Sequence, residues 1–226
     1  MKIKLLFEDN HLLVAEKPPN LLTQEDKTGD PDLLSLLKED LKSRYHKPGN
    51  VYLGLVHRLD RPAGGVIVLA RTSKAASRLS AQLRDRKLKK EYLAVIRGAL
   101  EPPAGRLRHF LAKDSATNLV RHTDSGLEAV LDYRLLESVE GLSLVSIQLH
   151  TGRPHQIRAQ MSLVGCPLYG DQKYGREVNK PGEQLALWSC EVAFTHPVRD
   201  EWLSVKSMPP ACYPWSLFKL HTGGRK

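Results

Sequence analysis

Asp60 stands in the segment His57-Arg58-Leu59-Asp60-Arg61-Pro62-Ala63-Gly64-Gly65, among basic residues on a turn that runs straight into Val66-Ile67-Val68-Leu69-Ala70. The apolar run reads as a buried strand, and the two glycines give it a flexible entry. A carboxylate at such a strand mouth is held in one place. His57, Arg58 and Arg61 crowd it with donors, which favours the anionic form that a nucleophile or general base requires. By spacing alone, the same residues also suit a turn aspartate in a surface ion pair.

A second cluster lies about ninety residues on. Leu142 to His150 alternates, with Val145, Ile147 and Leu149 on one face and Ser146, Gln148 and His150 on the other, the pattern of a half-buried strand. It leads into Thr151-Gly152-Arg153-Pro154-His155-Gln156-Ile157-Arg158. Thr151 as cap, Pro154 in the first turn and Gly165 as a stop predict a helix from about Pro154 to Val164. Ile157, Met161 and Val164 would then face the core. His155, Arg158 and Ser162 share another face, so the helix can aim two basic groups at a cleft while its N-terminus offers amides to an anion. An ordinary helix with a solvated basic face fits the same pattern.

Together these residues resemble the RluA-type family of RNA pseudouridine synthases. The family's HRLD segment with its catalytic aspartate is matched by His57-Arg58-Leu59-Asp60, and its TGR-x-HQ-[LI]-R segment by Thr151 to Arg158. Leu6 to Pro18, Lys90-Glu91-Tyr92-Leu93-Ala94, Tyr169 to Gly175 and Phe194-Thr195-His196-Pro197 follow the family order as well. The resemblance runs from about Leu6 to about Pro197, and several ordered motifs are far harder to obtain by chance than one.

The resemblance implies isomerisation of uridine within RNA. The N-glycosidic bond breaks, the uracil turns, and a carbon–carbon bond forms to the same ribose. Reactant and product are isomers, so neither a metal nor a small-molecule cofactor is called for. The protein must supply a carboxylate, charge stabilisation and a dry pocket for the detached base. By resemblance Asp60 is that carboxylate, Arg158 its orienting partner and Tyr92 the active-site tyrosine, placed to stack on the base or move a ribose proton. Whether Asp60 attacks the sugar, adds to the base or assists uracil departure stays open. A uridine in folded RNA must leave its stack to react. Arg58 is then suited to hold the vacated space or displaced backbone, with His57, Arg61, Arg153 and His155 as further RNA contacts and Ile157 as part of the apolar wall over the uracil.

The elements that must position these groups are short. The expected fold is α+β, a bent and largely antiparallel mixed sheet with flanking helices and a central catalytic cleft, the topology coming from the resemblance. Helices are predicted from about Pro31 to Tyr45, capped by Asp30, and after a Thr72 or Ser73 cap with Ala76, Leu79 and Leu83 inward. Strands are predicted near Leu12 to Ala15, Val66 to Ala70, Tyr92 to Ile96, Ala129 to Leu136, Leu142 to Leu149 and Leu185 to Phe194. Loops are read at Leu22 to Gly29, His46 to Asn50, Leu100 to Arg106 and Arg176 to Glu183. The 226 residues, 41% of them hydrophobic, suffice for one catalytic domain over 1–226, with no RNA-binding module ahead of a first motif that begins by residue 7.

A net charge of +9 favours a polyanionic partner, and the excess concentrates in Arg84, Arg86, Lys87, Lys89 and Lys90. RNA, ribosomal or transfer, is the expected partner. The tail from His221 to Lys226 reads as a frayed terminus. No signal peptide or membrane-length apolar run is present, which predicts a cytoplasmic protein, and no dimer seam argues against a monomer. Cys166, Cys190 and Cys212 are odd in number and lack a Cys-x-x-Cys pair, so they read as reduced thiols.

Two features depart from the family pattern. Ala63-Gly64 replaces a common hydroxyl pair after the aspartate, and Leu185 to Cys190 lacks a histidine that relatives often carry. Two rival functions fit parts of the sequence. A catalytically silent RNA-binding protein would not need the Asp60, Tyr92 and Arg158 set. A metal-dependent hydrolase using His57, Asp60, His150, His155 and Asp171 lacks compact ligand spacing, and the neighbouring arginines would repel a cation.

Overall fold

The computed structural model describes residues 1–221; the tail read as frayed lies outside them except for His221. In chain order the elements are β1 (Lys4–Glu8), β2 (Leu12–Lys17), α1 (Leu33–Arg44), β3 (Gly54–Leu55), β4 (Gly64–Ala70), α2 (Ser73–Arg84), β5 (Lys89–Arg97) and β6 (Ala104–Asp114). They continue as β7 (Leu119–His122), β8 (Leu127–Val139), β9 (Leu142–Leu149), α3 (Gln156–Leu163), β10 (Leu187–Thr195) and β11 (Trp202–Lys206), followed by short 3₁₀ turns. Among the described residues, three α-helices beside mostly antiparallel strands make this the α+β protein expected from the sequence.

The chain forms two compact units. The first holds residues 1–89 and 189–207, the second 90–188 with the residues after 207. In the first, the strand order is β1-β2-β4-β10, with β3 also on β4 and β11 on β10. Strand β4 is buried along its whole length, which explains its unbroken apolar run in place of alternation. One face of this sheet packs Val14, Val66, Val68 and Phe194 against Ala75 and Leu79 of α2. Helix α1 buries Leu33, Leu37 and Leu41, its spacing-four stripe. Its cap is Asp32, not Asp30: Asp32 accepts from the Ser35 amide at 3.0 Å. The helix therefore starts two residues later than Pro31 suggested, since only Asp32 lies three residues before an amide it can reach. For α2 the cap is Thr72, bonded to the Ala75 amide.

In the second unit the order is β5-β9-β8-β6-β7, antiparallel throughout. Strand β6 occupies part of the segment read as a loop from Leu100 to Arg106. Its alternation of half-buried Leu107, His109 and buried Leu111 with exposed Arg106, Arg108 and Phe110 is a strand pattern carried by charged residues, which an apolar-run search passes over.

Candidate active site

In the first unit the Asp60 turn is tied from three directions. The Ala63 amide closes it onto the Asp60 carbonyl at 3.0 Å. Thr23 clamps the preceding residue, its hydroxyl donating to the Leu59 carbonyl at 2.7 Å and accepting from the Leu59 amide at 3.3 Å. The third tie is Lys17, within the Leu6-to-Pro18 motif, whose role its spacing does not reveal. Its side chain is fully buried, and Nζ donates to the carbonyls of Pro18, Leu21 and Arg61 at 3.0, 2.7 and 3.0 Å. Two backbone segments, 18–21 and the turn at Arg61, thus converge on one ammonium. Burial pulls the Lys17 pKa down to about 7, the negative charge of Asp60 opposing this and Arg61 adding to it.

The other candidates of this unit differ in exposure. Arg58 is exposed, free to reach a large ligand. Arg61 is also exposed, with an ion pair to Asp30 at 2.7 Å that water screens. His57 is half-buried, and its Nε2 accepts from the Val68 amide at 3.2 Å, so the ring braces β4.

Gly65 explains the glycine pair after the turn. Its φ is +111°, and a Cβ there would lie 2.2 Å from the Ser189 carbonyl oxygen. Only glycine permits β4 to lie so close to β10 at this point.

In the second unit Tyr92 is buried on β5, opposite Ile147 of β9. The Thr151-to-Arg158 segment is organised by Gln156, whose side-chain oxygen accepts from the Thr151 hydroxyl at 2.8 Å and the Arg153 amide at 3.0 Å. Its amide nitrogen reaches the Val130 carbonyl at 3.1 Å. Thr151 therefore does not cap α3, because its hydroxyl is committed to β8 and Gln156. The N-cap is His155, in the left-handed region at φ 48°, and the helix begins at Gln156 instead of Pro154. Arg153 donates from Nε to the Glu128 carbonyl at 2.8 Å.

The solvated-face reading of α3 is overturned: Gln156, Ile157, Arg158, Ala159, Gln160 and Met161 are all buried. Arg158 makes a bidentate pair with Asp171, Nε to Oδ2 and Nη2 to Oδ1, both 2.8 Å, with the Asp171 side chain wholly buried. Burial alone would push Asp171 up, but the Arg158 hydrogen bonds and charge, with the Lys173 and Tyr174 amides, outweigh it and hold the carboxyl below its ordinary pKa. Tyr174 completes the cluster. Its hydroxyl accepts from the Val120 amide and contacts His155 Nδ1, each at 2.8 Å, and its ring lies 5.2 Å from the Arg158 guanidinium.

Lys90 corrects the reading of the basic run. It is buried, its pKa lowered to about 8 by that burial, and a Cβ on Gly152 would come within 3.2 Å of its Nζ. Alternation along β5 turns Lys90 to the face of Tyr92 and leaves Lys89 in solvent. Among the residues weighed as metal ligands, Asp171 is held by Arg158, and His150 pairs with Asp132 at 2.7 Å, itself bound by Arg106.

The model for the RNA pseudouridylate synthase family matches residues 11–163. The chain belongs to that family. An uncharacterised RNA pseudouridine synthase of Bacillus subtilis, YhcT, is 34% identical over 93% of this chain and 70% of its own length. Ribosomal large subunit pseudouridine synthase D of Nitrosomonas europaea is 34% identical over 86% of this chain, and synthase C of Vibrio parahaemolyticus 29% over 90%. The chain spans 58% and 64% of those two relatives. The structure of human RNA pseudouridylate synthase domain containing 4 shares the fold at TM-score 0.79, with 24% identity, covering 95% of this chain and 91% of the other. The RluA-type resemblance is thereby borne out, as is the fold class.

Proposed function

We propose that this pseudouridine synthase family member isomerises specific uridines of ribosomal or transfer RNA, with residues 1–226 acting as one catalytic domain. The observation that carries the reading is the Asp60 turn, where Lys17 and Thr23 hold the family's HRLD segment in one conformation. A carboxylate so held loses little freedom on meeting a flipped nucleotide, the condition for catalysis by preorganisation. In the proposed reaction the N1–C1′ bond of uridine breaks, uracil rotates, C5 bonds to C1′, and the hydrogen of C5 is replaced by one on N1. The atoms balance without oxidant, phosphoryl donor or metal.

Arg158, which Asp171 engages through Nε and Nη2, would orient Asp60 as the family resemblance implies. Tyr92 would stack on the uracil or carry a ribose proton, with Ile157 over the base. Arg58, His57, Arg61, Arg153 and His155 would serve the RNA around the flipped nucleotide. The protein would act as a cytoplasmic monomer.

Tritium release from cellular RNA labelled at C5 of uridine tests this, since forming the new bond expels that hydrogen. Release by wild type and none by Asp60→Ala supports the reading. A folded wild type that binds RNA but releases nothing from ribosomal, transfer or total RNA points to a silent RNA-binding protein. Tyr92→Phe refines the role: RNA binding kept with turnover lost identifies a catalytic hydroxyl, whereas full turnover leaves stacking alone.

A further inference from the structure

We propose that the end of α2 and strand β11 form a second RNA contact, in which Trp202 stacks an unpaired base and Arg84, Arg86, Lys87 and Lys89 hold the flanking phosphates. The inference rests on RNA being the substrate. Trp202 is 56% exposed, whereas Trp188 and Trp215, the other two tryptophans, are buried. An indole left in water on a strand whose neighbours Leu203 and Val205 turn inward does no packing for the core. It carries a cation instead: Lys89 Nζ lies 5.6 Å from the ring centre.

The basic residues are brought to this ring by specific bonds. Gln82, in the last turn of α2, donates to the Thr195 carbonyl at 2.8 Å and accepts from its amide at 3.0 Å, and Thr195 is the cross-strand partner of Trp202. One turn earlier, Arg78 donates to the Pro197 carbonyl. The turn after α2 is thus fastened beside β11, and it presents Arg84, Arg86 and Lys87, all exposed. Asp85, 3.9 Å from Arg84, is the single acidic residue among Arg84 to Lys89.

A flat π-face that carries one cation, with three more on the turn fastened to the neighbouring strand, matches single-stranded nucleic acid, where bases stack on aromatics and the backbone follows positive charge. A base arriving on Trp202 would take the place of the Lys89 ammonium, which is then released to a phosphate. The contact suits an unpaired loop or flank of the substrate, and contributes affinity with little sequence preference.

Binding of a fluorescently labelled oligouridylate of about twelve nucleotides, long enough for one stacking site, tests the platform in wild type, Trp202→Ala and Trp202→Phe. Expected are binding weakened on the order of tenfold in Trp202→Ala, a smaller loss in Trp202→Phe, and quenching of wild-type tryptophan emission by the unlabelled oligonucleotide. Arg86→Glu with Lys87→Glu should weaken binding too. Equal affinity of Trp202→Ala and wild type, or, should that variant misfold, emission unmoved by saturating oligouridylate, overturns the proposal. Tritium release by wild type decides the isomerase reading independently of either result.

Discussion

At the scale of single residues, the buried charges of Arg158 and Lys17 are answered by Asp171 and by three backbone carbonyls. Arg158 and Asp171 are thirteen positions apart and meet bidentately without solvent, so Arg158→Ala leaves a carboxylate uncompensated in the interior. The expected cost is about 3 kcal/mol of unfolding free energy, and Arg158→Lys should recover only part of it because an ammonium cannot reproduce the planar fork. Chemical denaturation reads both, and an unchanged midpoint for Arg158→Ala would refute the buried pair. Lys17→Met removes three donors from three carbonyls, for an expected loss of about 2 kcal/mol. The pH dependence has a defined sign. The folded state gives up the Lys17 proton near 7, whereas the unfolded chain keeps it to the ordinary lysine value, 10.5. Between those values the unfolded state binds more protons, so wild-type stability gains with pH relative to Lys17→Met. A difference between the two that stays flat from pH 7 to 10 contradicts this.

At the scale of elements, the turn between Asp60 and β4 depends on close backbone approach. Gly65→Ala combines an unfavourable φ with a Cβ driven into the Ser189 backbone, which cannot move aside like a flexible side chain. We expect a loss of 3 kcal/mol or more, roughly the sum of backbone strain and overpacking, seen as a fall in melting temperature; melting within a degree of wild type would mean that β4 and β10 can part. The alternation of β9 from Val145 to Leu149 and the leucine stripe of α1 were legible in sequence because each buries one face. The limits of α3 were not. Thr151 and Pro154 carry start signals, but the Thr151 hydroxyl and the Gln156 side chain bind β8, which local sequence cannot announce.

At the scale of the whole molecule, the charge of +9 makes ionic strength the lever on RNA affinity. If Arg84, Arg86, Lys87 and Lys89 each neutralise one phosphate, single-stranded RNA binding should fall roughly 50-fold between about 50 and 200 mM salt, and less steeply when any one is replaced by alanine. Titrations at several salt concentrations measure that slope, and a slope unaltered by those replacements would place the phosphates elsewhere. Legible in the sequence were the α+β class and the strands of continuous or alternating apolar residues, which follow from local order and composition, together with the family and, by resemblance, Asp60, Tyr92 and Arg158, which follow from the order of the motifs. Tertiary structure alone decided that Lys17 clasps the Asp60 turn, that Asp171 and Tyr174 surround Arg158, that Lys90 is buried beside exposed Lys89, and that Trp202 stands by the basic end of α2. All but the burial of Lys90 bring together residues apart in sequence, and a buried polar group takes its partner from whatever the fold brings within hydrogen-bonding distance.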